Sequence, residues 1–208
     1  MADQKRLFLA NYCEPMLGIC QALEAELTPL PAANTPEQFE NWRAELSDGE
    51  KYDTIIIAQW QADPVRNETA NSNAIDWKER FEQPFLLWNF SIGAASQCIN
   101  DGGSIVVLVQ APAIPDSAGW TLQSAISDGV LALVRSIAAA EGDRGVRINM
   151  VISPIGLVDE QVLNPTPPLA GFPGTLEKTV CGAIRMLLSD DASGITGRAI
   201  PADGGRYL

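Results

Sequence analysis

A chain of 208 residues with 46% hydrophobic and 19% charged residues suits one globular domain, able to bury roughly 70% of its unfolded surface. Its 26 acidic against 14 basic side chains give a formal charge of −12, which argues against nucleic acid, a partner that needs clustered Lys/Arg. There is no histidine and no tight carboxylate cluster for a transition metal, and no apolar run reaches the ~20 residues that span a bilayer.

The opening MADQKRLFLANYCEPML carries too short an apolar run for a signal peptide, and Glu14 interrupts it. Arg6–Asn11 reads as a first strand. Pro15 to Leu27 reads as a helix with Leu17, Cys20, Leu23 and Leu27 on one face. TPLPAAN, residues 28–34, is a Pro-rich loop. Thr35-Pro36-Glu37-Gln38 then supplies an N-cap, a proline at the first helical position and a capping-box partner. The helix they start should run to about Leu46, ended by Ser47-Asp48-Gly49. Tyr52–Gln59 is a buried strand and Trp60–Asn73 a polar loop. A helical stretch from about Ala74 to Ile99 follows, with Pro84 marking a break or the first turn of a second helix. Cys13, Cys20, Cys98 and Cys181 form no CxxC pair and read as reduced, mostly buried thiols of a cytoplasmic protein.

The rest of the chain is organised around Gly102–Pro154. Ser104–Val109 is a continuous apolar, β-branched run, as in a parallel strand covered on both faces. A helix from Leu122 to Glu141 and a second buried run, Val146–Ile152, complete a right-handed βαβ crossover. Leu122, Ile126, Val130, Val134 and Ile137 recur at helical spacing, and Leu131, Leu133 and Ala138 widen the apolar surface. Ser124, Gly129, Ala132, Ser136, Ala139 and Ala140 would let another helix come close. That second cover is either a helix of the same chain or another subunit. After the Pro/Gly-rich Ser153–Gly174, Gly174–Ser189 reads as a helix and Gly197–Ala202 as the last strand. The expectation is a single domain over residues 1–208, an α/β doubly wound parallel sheet with five clear strands.

RSIAAAEGDRGVRINMVISPIG resembles the segment of short-chain dehydrogenases/reductases that runs from the catalytic helix into the sixth strand. SDDASGITGRAIPADGG is similar to that family's last strand and closing Asp-Gly-Gly. GGSIVVLVQ resembles its fifth strand, and WNFSIGAASQCI its preceding long helix with an embedded asparagine, here Asn89. The resemblance covers roughly residues 74 to 205 and implies a Rossmann-like sheet. The N-terminal half is truncated. Only about forty residues separate Asn11 from Tyr52, where the family places two strand–helix steps that hold the adenosine half of its cofactor. There is room for two helices and at most one short strand, fewer than the family's seven strands in total.

The family's nucleotide site needs Thr-Gly-x-x-x-Gly-x-Gly after the first strand, so that backbone can approach a pyrophosphate on a helix N-terminus. Here Cys13-Glu14-Pro15-Met16-Leu17-Gly18-Ile19-Cys20 stands in its place. Gly18 is the sole glycine before Gly49, and close helix–sheet packing is its expected role. Glu14 adds a negative charge where phosphate would lie. The family's reaction centre is a tyrosine acid/base, a lysine four residues later and a serine after the fifth strand. Matching Arg135-Ser136-Ile137-Ala138 to it puts Gln123 at the tyrosine position, Ser127 at the lysine position and Gln110 at the serine position. Neither amide nor hydroxyl titrates near neutral pH. The only tyrosines are Tyr12, Tyr52 and Tyr207, none with a lysine four residues on. Asn89 alone should be a structural hydrogen-bonding residue. Asp116, Ser124 and Asp128 lie near the former site and read as solvated or capping groups.

Two function classes follow. In the first, no catalytic or cofactor-binding residue and no cofactor is expected, and the chain is a pseudoenzyme subunit. It would pair with an active short-chain dehydrogenase/reductase in a hetero-oligomer, a tetramer by the resemblance. The segments Ala74–Ile99, Leu122–Glu141 and Gly174–Ala202, which keep the family pattern, are those that form its subunit contacts. In the second, the vacated cleft serves a nucleotide-independent enzyme or small-ligand-binding protein, with Ser153–Gly174 lining a pocket. No nucleic acid and no membrane is expected in either.

Overall fold

Six strands, β1 (Arg6–Ala10), β2 (Glu26–Pro29), β3 (Tyr52–Ala58), β4 (Ile99–Ala111), β5 (Arg147–Pro154) and β6 (Ala199–Pro201), pair in parallel in the order β2-β1-β3-β4-β5-β6. Among the described residues five α-helices connect them: α1 (Glu14–Ala22), α2 (Pro36–Ser47), α3 (Gln83–Cys98), α4 (Thr121–Ala140) and α5 (Leu176–Leu188). This is a computed structural model, and it describes residues 4–32, 35–60, 77–112, 118–154, 168–172 and 176–206. All but Trp60 of the expected polar loop 60–73, most of 153–174, and with them Asp116 and Tyr207, lie outside the described residues.

The strands alternate between two cores. Leu7, Leu9, Ile55, Ile57, Ile105, Val107, Ile148 and Met150 face one, with Trp88 and Ile92 of α3 and Ile126, Val130 and Val134 of α4. Phe8, Ile56, Val106, Leu108 and Val151 face the other, with Met16 and Ile19 of α1 and Val180, Ile184 and Leu187 of α5. Both faces being apolar is why the strand sequences read as unbroken β-branched runs rather than alternating ones. The doubly wound α/β sheet expected from the sequence is the fold observed.

Three local readings hold in detail. Thr35 Oγ1 accepts the Gln38 N–H at 3.4 Å and Gln38 Oε1 accepts the Thr35 N–H at 3.2 Å, a complete capping box. Pro84 sits in the first turn of α3, and a π turn over Lys78–Glu82 precedes the gap in the hydrogen-bond ladder that its missing N–H leaves. Gly102-Gly103 absorbs the register shift between Tyr52 and Thr54 on β3 and residues 99 and 104 on β4. Gly102 adopts φ +77°, and a Cβ on Gly103 would lie 2.8 Å from the Asp53 carbonyl oxygen.

Others do not. The first helix ends at Ala22, not Leu27, because Glu24 takes a left-handed φ of 53° and turns the chain into β2. Leu27 keeps helical spacing from Leu23 but stands on that strand. Pro29 fits there because β2 is the sheet edge, where a missing ladder donor is tolerated. Among the described residues the sheet thus has six strands, with two helices and one short strand between Asn11 and Tyr52. Gly18 is only partly buried and lies off the face that Met16, Ile19 and Cys20 turn to the sheet, so close packing on the sheet is not its role. Asn89 is exposed on α3 rather than bracing the interior. The 20-residue α4 is long and apolar enough by composition to span a bilayer, contrary to the reading of the sequence, yet its apolar face packs on the sheet.

Arg144 closes the far end of the βαβ unit. It donates to Asp101 Oδ1 at 2.8 Å, Glu141 Oε2 at 2.7 Å and the carbonyls of Ser96 and Ile99, tying α3, β4 and α4 together. The Ser96 hydroxyl, 2.5 Å from Oε1, and then Arg144 hold the Glu141 carboxyl below its ordinary range. A carboxylate depressed by folding contributes its full stability above its unfolded pKa and loses it as pH falls through its folded pKa. Glu141→Gln should therefore lower stability by about 1 kcal/mol at neutral pH and converge with the parent in acid. Urea unfolding across that range checks this; a constant gap down to the acid limit would contradict it.

Candidate functional site

In an open parallel sheet, ligands bind beyond the carboxyl ends of the strands, at the point where the winding reverses. Here that point lies between β1 and β3, because β2 adds on one side of β1 and the later strands on the other. The crevice is laced by two residues that the sequence reading did not single out. Asn11 Oδ1 accepts the Trp60 N–H at 2.6 Å, and Asn11 Nδ2 donates to the Trp60 carbonyl at 2.8 Å. The Trp60 indole is 5% exposed and packs in the α1-side core with Ala10, Met16 and Ala58. A dipeptide-like bridge across 49 positions has no periodic signature, so only an unusual Asn–Trp pair at two strand ends could have flagged it.

The first turn of α1 offers little to an anion. Cys13 is the N-cap in an extended conformation without a side-chain cap, Glu14 places a carboxylate in the first turn, and Pro15 removes one N–H. Met16 is wholly buried beneath. No backbone here is bared by glycine for a pyrophosphate to approach.

Along the same edge, β4 and β5 end side by side, with Gln110 opposite Ser153 in register. Gln110 is half-buried; Ser153 is fully buried, and its Oγ has no hydrogen-bond partner. On α4, Gln123 and Ser127 stand one turn apart on the sheet-facing side, 9% and 6% exposed, and Gln123 Oε1 is also unpartnered. The structure thus holds Gln123 and Ser127 on one buried helix face beside the sheet's functional edge. Both are neutral. Ser124 is half-buried and Asp128 exposed, as solvated groups should be. Tyr12 is 75% exposed, and Tyr52 lies in the core, where burial, then the charge of Glu26, raises its pKa. Among the described residues no group of three or more His, Cys, Asp or Glu side chains gathers to hold a metal. The four cysteines are free thiols, three of them buried.

The outer side of α4 is now defined. Gly129 faces α3: a Cβ there would lie 2.5 Å from the Phe85 ring. So a helix of the same chain covers that flank; Phe85 stacks on Phe81 at a centroid spacing of 5.7 Å, and Phe81 in turn meets the tilted Trp77 ring at 4.5 Å. Ala125, Asp128, Ala132, Arg135 and Ala139 remain exposed in one stripe, beside a Trp77 that is 44% exposed.

Residues 57–206 match the family model described as Enoyl-(Acyl carrier protein) reductase. The chain is 28% identical over 143 residues to the Enoyl-[acyl-carrier-protein] reductase [NADH] FabI of Synechocystis sp., a match covering 62% of this chain and 55% of that protein's length. Among solved structures it resembles the short-chain dehydrogenase/reductase from Serratia marcescens, with 16% identity, 98% of both chains covered and a TM-score of 0.71. It also resembles a putative oxidoreductase from Escherichia coli K-12, with 14% identity, 99% and 98% covered and a TM-score of 0.72. A metagenomic blue fluorescent protein in complex with NADPH gives 17% identity, 98% of both chains covered and a TM-score of 0.74.

Proposed function

The chain belongs to the short-chain dehydrogenase/reductase family, and from that premise we propose that it is a non-catalytic subunit supporting an active member of the family in a hetero-oligomer. The observation that carries this reading is the Asn11–Trp60 bridge across the switch-point crevice. Hydride transfer needs a nicotinamide nucleotide held there, and the first turn with Glu14 and Pro15 does not fit its pyrophosphate. The acid/base side is consistent with this. By the sequence match Gln123 and Ser127 stand where the family has a tyrosine and a lysine, Gln110 where it has a serine, and none of the three titrates near neutral pH to act as the acid or base.

The partner would dock on the exposed stripe of α4, with α5 and β6 as a second contact, as the family resemblance implies. Small side chains at Ala125, Ala132 and Ala139 allow helix axes to approach closely, and Asp128 and Arg135 set register. The intact partner supplies the nucleotide site and the proton relay; this chain supplies buried surface.

Calorimetric titration of the isolated chain with NADH and with NADPH should show no saturable heat at millimolar nucleotide. An assay with an enoyl-thioester, the substrate type in the matched relative's name, should show no turnover. A micromolar dissociation constant or measurable reduction overturns the reading.

A second reading, reuse of the vacated cleft for a ligand without nucleotide, is favoured by the unpartnered Ser153 Oγ and Gln123 Oε1, buried polar atoms that a ligand could satisfy. Small-molecule binding lost in Gln123→Leu while the oligomer stays intact would support it over the first.

A further inference from the structure

At the amino end of the sheet, opposite the crevice above, β1 begins beside the carboxyl ends of α1 and α5. A recess of about 270 Å³ opens there, lined by Gln4, Arg6, Glu24, Arg185 and Ser189 together with Leu23 and Leu188. That volume is smaller than a site enclosing a whole drug-sized molecule and suits a head group.

Two guanidinium groups meet at this recess. Arg6 Nε donates to Thr54 Oγ1 at 3.2 Å, and one of its terminal nitrogens donates to the Leu23 carbonyl. Arg185 of α5 donates through Nη2 to the Ala22 carbonyl. Ala22 and Leu23 are consecutive, so two cations remote in sequence are gathered on one helix end. Capping those carbonyls engages one terminal nitrogen of each arginine and leaves other N–H groups of both forks for a further acceptor. Arg185 is exposed and Arg6 half-buried, so both heads can be reached from the recess.

Among the described residues neither arginine forms an ion pair. Basic side chains are scarce in this chain, 14 against 26 acidic, and a pair of them without a carboxylate is a charge left uncompensated. The neighbouring recess, which shares Gln4 and Leu188, differs in this respect. There Asp53 accepts the Lys5 backbone N–H and Asn100 Nδ2, and Asp101 accepts from Arg144 Nε.

We propose that the Arg6–Arg185 recess holds a phosphate dianion, free or as the head of a small monoester. Planar forks match a tetrahedral oxyanion, and a doubly charged ion offsets both cations at once. Gln4 and the Ser189 hydroxyl are further donors around the same recess. Glu24 opposes the ion, as does the negative end of α1, worth about half an elementary charge. Together they fall short of two guanidinium charges. The recess is at the other end of the strands from the crevice, so its occupancy is read separately from nucleotide binding and turnover.

Inorganic phosphate, methyl phosphate and the singly charged methanesulfonate are the probes, titrated by NMR into the full chain at pH 8 and constant ionic strength. Both phosphates should bind saturably, and methanesulfonate about tenfold more weakly. Tighter binding of methyl phosphate than of inorganic phosphate supports a monoester as occupant, and the reverse order supports the free ion. Arg185→Gln should weaken both phosphates about tenfold. Glu24→Gln, which removes the opposing charge at an exposed position, should strengthen them about twofold. Absence of saturable phosphate binding, or an affinity that Arg185→Gln leaves unchanged, overturns the proposal. Should Arg185→Gln fail to fold, Glu24→Gln decides alone, and an affinity unchanged or reduced there overturns it equally.

Discussion

Asn149→Leu is expected to cost about 2–4 kcal/mol of unfolding free energy, because it deprives two backbone groups of their partners at once. Asn149 is wholly buried in β5. Its Nδ2 donates to the Ile195 carbonyl at 2.8 Å, and its Oδ1 accepts the Arg198 N–H at 3.1 Å. These two bonds bracket the turn that delivers β6, which Gly197, at φ +68°, completes by donating to the Ile148 carbonyl. Leucine shares asparagine's branching and heavy-atom number and adds apolar contact, so a simple transfer argument predicts a gain. The unsatisfied-partner argument predicts the opposite sign and the larger magnitude. Urea unfolding of the two proteins separates them, and a loss below about 1 kcal/mol would show that the turn re-forms its bonds elsewhere. The same substitution should loosen β6 first, with exchange protection falling at Ile200 before it falls in β4.

The central βαβ unit was legible because its forces are local and periodic. Unbroken β-branched runs needed cover on both faces, and the wide apolar band of the intervening helix needed the sheet. The capping box at Thr35 and Gln38 was legible because four consecutive residues hold the whole motif. The N-terminal misreading arose where periodicity continued past the physics that supports it. Leu17, Cys20, Leu23 and Leu27 keep helical spacing, but Glu24 enters the left-handed region, and the edge of the sheet was free to accept Glu26–Pro29. An edge strand has half the pairing of a central one, so proline and weak β propensity do not forbid it.

The candidate site divides the same way. The sequence matches Gln110, Gln123 and Ser127 to the family's reaction positions by spacing alone, and the structure puts Gln123 and Ser127 one turn apart on α4 and Gln110 at the end of β4. Their burial could not be read from spacing, because Gln123 and Ser127 are polar residues on a face the sequence pattern reserves for apolar ones. The Asn11–Trp60 bridge and the meeting of Arg6 with Arg185 were invisible for a different reason. Each depends on segments brought together by the sheet, one across β1 and β3 and the other at the end of α1. Gly129 shows the limit of composition: a small residue on a broad apolar helix left open whether a helix of this chain or of another subunit comes close, and at this position it is Phe85 of the same chain.

That distinction sharpens the test of the subunit reading, because the two small residues of α4 now predict different failures. Ala132 is exposed and its side chain ends at Cβ, so Ala132→Arg should leave the isolated chain's stability within about 0.5 kcal/mol of the parent. In a hetero-oligomer sealed through this stripe, the same arginine would wedge a long side chain between helices packed at Cβ distance, and the complex should weaken more than a hundredfold even with Asp128 one turn away to meet the charge. Gly129→Leu is the contrast: its new side chain collides with the Phe85 ring, and overpacking of about 1–3 kcal/mol falls on the fold itself. Copurification of each variant from the native source, with unfolding measured in parallel, reads both quantities. A parent chain that purifies as a stable monomer with no reductase beside it removes the proposal. So does an Ala132→Arg variant that retains the partner at parental affinity, because helix faces packed closely through alanine leave no room for a side chain of that length.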